Sequence, residues 1–160
     1  MITQAELLEL FDYKNGEIYW KKTFSKKTKI GNKAGRKQSL GYIQVNVNKK
    51  SYLAHRIIFA MHNGYFPKSI DHINGSKSDN RIENLREVTA SQNLQNTKKP
   101  ITNTSGYKNV YFHPSRNKWQ VKLVVNKTNK SFGYYDDLEL ADLVAQEARN
   151  KHFGEFACHL

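Results

Sequence analysis

A mixed α+β architecture in two small modules is the fold class this sequence predicts, and three features of the 160-residue chain point to it. Helical and strand-like hydrophobic periods alternate along it in short pieces. The periodicity lapses at Lys98-Lys99-Pro100 and the ITNTSG that follows, where Pro, Ser, Thr and Gly gather. Beyond that lapse come three strand-like segments and one helical segment, enough for a single sheet-on-helix layer pair.

Taken in order, QAELLELFDY places Leu7, Leu8, Leu10 and Phe11 as a short amphipathic helix would, and YKNGEIYW carries an Asn15-Gly16 hairpin signal. Residues 21 to 41, rich in Lys, Gly and Ser, read as an exposed loop. YIQVNVNKKSYLAH alternates Ile43, Val45 and Val47 with polar neighbours, a half-buried strand turning near Asn48. LAHRIIFAMHNG reads as a helix with Leu53, Ile57 and Met61 on one side, closed by Gly64. SIDHI is a short strand after Pro67, a polar loop runs from Asn74 to Asn80, and IENLREV returns as a second extended segment. TASQNLQN then starts a helix with Thr89 or Ser91 as cap. In the second module, strands around Tyr111, Trp119 and Tyr134 turn near Pro114 to Asn117 and Asn126 to Asn129. The final helix is capped by Asp136 or Asp137, with Ala141, Val144, Ala145 and Ala148 along one face and Gly154 at its end.

Charge narrows the function classes. With 26 Lys+Arg against 14 Asp+Glu, the net charge of +12 exceeds what solubility needs and points to a polyanionic partner. The charge is also segregated: ten basic residues and no acidic one lie between Lys21 and Lys50, whereas the last thirty residues carry two basic and six acidic. No apolar run approaches the roughly 18 residues of a membrane span, and MITQAELLEL lacks the layout of a signal peptide, so an intracellular protein is expected. A single cysteine, Cys158, allows neither an internal disulfide nor a cysteine-rich zinc site.

The stretch SIDHINGSKSDNRIENLREVTASQN holds one Asp-His pair followed by asparagines at 74, 80, 84 and 93. Turns explain Asn74-Gly75 but not the rest. Phosphodiester hydrolysis needs a water, a base to deprotonate it and a positive centre for the developing charge. His72 suits the base, since a reference pKa of about 6.5 leaves much of it neutral near pH 7. Asn84, twelve residues on, would be carried back by the hairpin to orient it. Asp71 and Asn93 would give the few oxygens that a Mg²⁺ site needs. Adjacent strand residues face opposite ways, so irregular backbone is expected at Asp71-His72.

The block AHRIIFAMHNGYFPKSIDHINGSKSDNRIENLREVTASQNLQN resembles HNH endonucleases of the phage homing type. The resemblance implies a ββα-metal finger with His72 as general base, Asn84 as its orienter and Asp71 with Asn93 as metal ligands. His55 and Arg56, in the matching AHR, are candidate supporting residues. Asn93 stands where many relatives have a histidine, which favours one Mg²⁺ or Mn²⁺ over Zn²⁺ because an amide oxygen is a hard ligand. The family's frequent cysteine pairs are absent.

The last sixty residues resemble the AP2 domain, a three-stranded sheet on one helix that is fused to HNH nucleases in phage genomes; the matching pieces are SGYKNVY, the strand around Trp119, SFGYYDDLELA and FGEFA. Residues 101 to 130 carry six basic residues and no acid, which makes the sheet the polyanion face. Alternation puts Trp119, Val121 and Leu123 against the helix and leaves Tyr111, His113, Arg116, Lys118, Gln120 and Lys122 toward DNA. The expected organisation is a basic N-terminal region (1–50), an HNH core (51–99) and an AP2-like module (100–160). It makes a metal-dependent enzyme that nicks double-stranded DNA inside a bacterial host, with no membrane and no obligatory protein partner. The competing reading is a DNA-binding regulator on an inactive HNH fold. If the last module only positions the enzyme, a chain cut after Lys99 is expected to keep nicking, at scattered sites.

Overall fold

Thr3 starts the fold with a reciprocal cap: its hydroxyl accepts from the Glu6 amide at 3.3 Å while the Glu6 carboxylate accepts from the Thr3 amide at 2.7 Å. In the computed structural model, which describes residues 2–23, 28–97 and 99–159, this cap begins α1 (Gln4–Leu10), with Leu7 and Leu10 buried. Lys26 and Lys27 of the basic stretch, and Lys98, lie outside the described residues.

The chain divides into two compact units, Met1–Thr89 and Ala90–Leu160. In the first, β1 (Phe11–Lys14) and β2 (Glu17–Trp20) form a hairpin whose two turn residues, Asn15 and Gly16, both have positive φ, as a type I′ turn requires. Gly16 has a second reason to lack a side chain, because a Cβ there would come within 2.7 Å of the Arg81 amide. The sheet β3 (Arg36–Lys37), β4 (Ile43–Val47) and β5 (Lys50–Leu53) turns at Asn48-Lys49, again with both φ positive. α2 (Ala54–Asn63) follows directly and ends where Gly64, at φ 84°, donates its amide to the Ala60 carbonyl. This helix is the centre of the core. Ile57 and Ile58 are fully buried, and Phe59, Ala60 and Met61 nearly so, among Leu7, Phe11, Ile18, Trp20 and Val45. Each buried Ile, Leu, Phe, Met or Val among them contributes on the order of 1.5–3 kcal/mol. Arg56 points elsewhere and donates to the Pro67 carbonyl at 2.7 Å, fixing the approach to β6 (Ile70–His72). β6 pairs antiparallel with β7 (Leu85–Glu87), which is entered through a 3-10 turn at Ile82–Asn84.

The second unit holds α3 (Ala90–Gln95) and a sheet of β8 (Val110–His113), β9 (Lys118–Val125) and β10 (Thr128–Tyr135), with β9 central. Val110, Val121, Leu123 and Val125 pack on Ala141, Ala145, Ala148 and Phe153 of α4 (Leu138–Phe153), and Trp119 packs partly buried against the same core. Alanines on that helix face let it lie close to the sheet. Asp137 caps α4 by accepting from the Leu140 amide at 2.6 Å. The break read from composition lay after Lys99; the compact units divide ten residues earlier, and α3 goes with the C-terminal sheet.

Candidate active site and nucleic-acid interface

β6 and β7 run in unshifted register, with Asp71 opposite Arg86 and His72 opposite Leu85. The three cross-strand pairs follow one another without a register shift. Asp71 and His72 are both buried, at 8% and 4% exposure. Asp71 meets its cross-strand neighbour: Nε and Nη2 of Arg86 donate to Oδ2 at 3.2 and 3.1 Å. His72 meets α2, its ring edge-on to that of His55 with 5.0 Å between centroids.

The amide found within hydrogen-bond distance of the His72 ring is that of Asn80, while Asn84, the orienter expected from the sequence, bonds the loop. Nε2 of His72 lies 2.9 Å from Oδ1 of Asn80, a residue only 2% exposed. Since an amide oxygen can only accept, Nε2 is the donor of this bond. The 3-10 turn instead delivers Asn84 to the base of the loop. Its Oδ1 accepts from the Asn74 amide at 3.0 Å, and its Nδ2 donates to Asn74 Oδ1 at 3.0 Å and to the Asp79 carbonyl at 2.7 Å. Asp79 is braced further by two bonds from Arg81, at 2.8 and 2.7 Å, and the guanidinium holds its carboxyl well below the usual carboxylate range. Asn80 is thus gripped between a residue fixed by Asn84 and a residue fixed by Asp79. Asn84 acts on the histidine one step removed.

His55 has no role in that network beyond its ring contact. It is 5% exposed, its Nδ1 has no hydrogen-bond partner among the described residues, and burial, aided by the charges of His72 and Arg56, pushes its pKa down to about 3. The unfolded chain protonates this imidazole at about 6.5. A depressed folded value gives stability that is complete above pH 6.5 and is lost progressively as pH falls toward 3, by on the order of 2–4 kcal/mol. Thermal melts of the protein from pH 7 to 4 should therefore fall more steeply than those of His55→Gln, which has no proton to take up. Parallel pH profiles would remove His55 as a source of acid lability.

Among the described residues no three His, Cys, Asp or Glu side chains gather as a metal cluster. Asn93 lies on α3 of the C-terminal unit.

In that unit, the strand register brings the six expected contact residues to one region. Tyr111 pairs with Gln120 and His113 with Lys118, placing these four on the sheet face away from α4, and Lys122 follows Gln120 by two. Gln120 donates to the Tyr134 hydroxyl at 3.0 Å, and both the His113 ring and the Arg116 guanidinium lie against the Tyr134 ring, at 5.3 and 4.5 Å. Lys118 is paired with Asp136 at 2.9 Å. The face is basic, aromatic and already ordered by its own contacts.

The hairpin with a buried histidine and the helix after it coincide with a known sequence pattern: residues 52–95 match the family model described as HNH endonuclease. Protein 3.8 of Escherichia phage T7 is 33% identical over 97 residues, which make up 59% of this chain and 79% of that protein. The chain belongs to the HNH endonuclease family. No solved structure matches it. The HNH match takes in α2, β6, β7 and α3, and stops before the C-terminal sheet. It therefore runs across the division between the compact units.

Proposed function

We propose that this HNH protein is a metal-dependent endonuclease that nicks double-stranded DNA, of the phage homing type. The observation that carries the reading is the buried His72, whose Nε2 donates to Asn80. An imidazole fixed in one tautomer removes a proton from water without first having to reorient. The water oxygen attacks phosphorus, the proton passes to His72 Nδ1, and the bond to the leaving sugar oxygen breaks. Asn80 stabilises the imidazolium through the Nε2–H bond, much as a carboxylate does in a hydrolase triad. Asn84 keeps the loop that carries Asn80 in place. Asp71 and Asn93 are the residues that would hold one Mg²⁺ or Mn²⁺, and the bound ion would supply positive charge to the phosphate and leaving oxygens.

The sheet face of Tyr111, His113, Arg116, Lys118, Gln120 and Lys122 would lie on DNA as an AP2-like module, and its exposed Tyr111 and unacidic strands support that use. The basic residues between Lys21 and Lys50 would add phosphate contacts independent of sequence. A regulator on a silent fold would bind the same DNA without cutting it. Incubation of supercoiled plasmid with the protein and Mg²⁺ separates the two, since only the enzyme yields open circles. Chelator should stop that cleavage and leave the circular dichroism spectrum unchanged, because a two-oxygen site is not a structural staple. Loss of helical signal on adding chelator would sink the sparse-site assignment.

A further inference from the structure

Lys108 is a lysine that the sequence would place on the surface, yet it is 8% exposed. Its ammonium donates to the backbone carbonyl of Gln95 at 3.0 Å and to that of Thr97. The Gln95 carbonyl is at the C-terminal end of α3, where a helix leaves acceptors unsatisfied and where its dipole favours a cation, and Thr97 lies two residues beyond. Burial lowers the pKa of this lysine from its ordinary value, so the site accepts a desolvation penalty to keep the group there. Lys108 is in turn fixed from α4. Arg149, fully buried, donates from Nη1 to the Lys108 carbonyl at 2.6 Å.

α3 is short and lies at the surface. It is six residues long, none of them buried, and Leu94 is 70% exposed beside a groove of about 480 Å³ lined by Tyr111, Val124 and Phe153. A helix of that length does not persist in water without tertiary support.

From these contacts we infer that Lys108, held by Arg149, is a positioning residue of the nuclease: it clamps the last helix of the HNH match, and with it Asn93, to the C-terminal sheet and helix. The exchange behaviour of α3 follows from the clamp alone. Its consequence for cleavage rests on the metal-ligand reading of Asn93 proposed above.

Hydrogen exchange on the full chain tests it, with Lys108→Met keeping the length of the side chain and Lys108→Arg keeping its charge. Loss of two charge-assisted bonds to backbone should speed exchange across residues 90–97 by about tenfold or more, while α2 and β9 keep wild-type protection. Lys108→Arg should restore most of that protection. In nicking assays the Mg²⁺ concentration for half-maximal rate should rise several-fold in Lys108→Met and return toward wild type in Lys108→Arg. Unchanged exchange across 90–97 overturns the clamp, and so does an equal loss throughout β9 and α4, which would make Lys108 a general support. Faster exchange at 90–97 with an unaltered metal requirement overturns its link to the site. A wild-type chain that never nicks would refute the proposed function and leave the exchange result standing.

Discussion

Substituting His72 by alanine should lower Mg²⁺-dependent nicking of supercoiled plasmid by a factor of about 10² to 10⁴ and leave DNA binding nearly intact, as expected for removal of a positioned base. A gel-shift titration should superimpose on that of the parent protein. Asn80→Ala should give a smaller loss in the same direction, because the imidazole remains but its tautomer and aim are no longer set. Asn84→Ala should resemble Asn80→Ala, since it releases the Asp79 carbonyl beside Asn80. The ordering is the informative part. Retention of more than about a tenth of wild-type activity by His72→Ala would take the base role away from this histidine, because a positioned base supplies at least about a hundredfold.

Much of the frame around that histidine could be read from the sequence because it depends on local chemistry. Asn15-Gly16 specifies its turn through two positive φ angles, and Gly64 ends α2 in the same way. Alternation from Trp119 to Leu123 fixes which side of the second sheet meets α4, and the opposite face then follows. The site itself was legible as a set of residues but less so as a set of bonds. Spacing suggested that Asn84 would reach His72 across the hairpin. A 3-10 turn places it under the loop, and Asn80 falls inside. Which asparagine reaches the imidazole depends on the path of eight loop residues, and no periodic signal encodes that path. Arg86 is not legible in the sequence for a related reason: it becomes the partner of Asp71 only once the strand register is known. Lys108 and Arg149 were invisible because long cationic side chains are ordinarily solvent-facing. Here each is buried by backbone carbonyls that other segments bring to it.

The same buried cations bear on the expected modularity, and truncation measures by how much. Composition around Pro100 suggests that a chain ending at Lys99 would keep a working nuclease and lose only its choice of site. That fragment, however, lacks Lys108 and Arg149, and α3 would end in carbonyls with no ammonium to meet them. A six-residue helix without a buried side chain is marginal in water, so loss of those bonds should loosen it, and Asn93 with it. The fragment should therefore bind DNA weakly, through the basic stretch between Lys21 and Lys50, and show no more than about a hundredth of the parent's nicking rate at moderate Mg²⁺. High Mg²⁺ should recover part of the loss if the weakened step is metal retention. Mapping the ends of whatever product forms completes the test. Efficient cutting by the fragment at low Mg²⁺, with sites scattered relative to the full chain, would return the C-terminal unit to a positioning role and leave the Lys108 clamp without catalytic consequence.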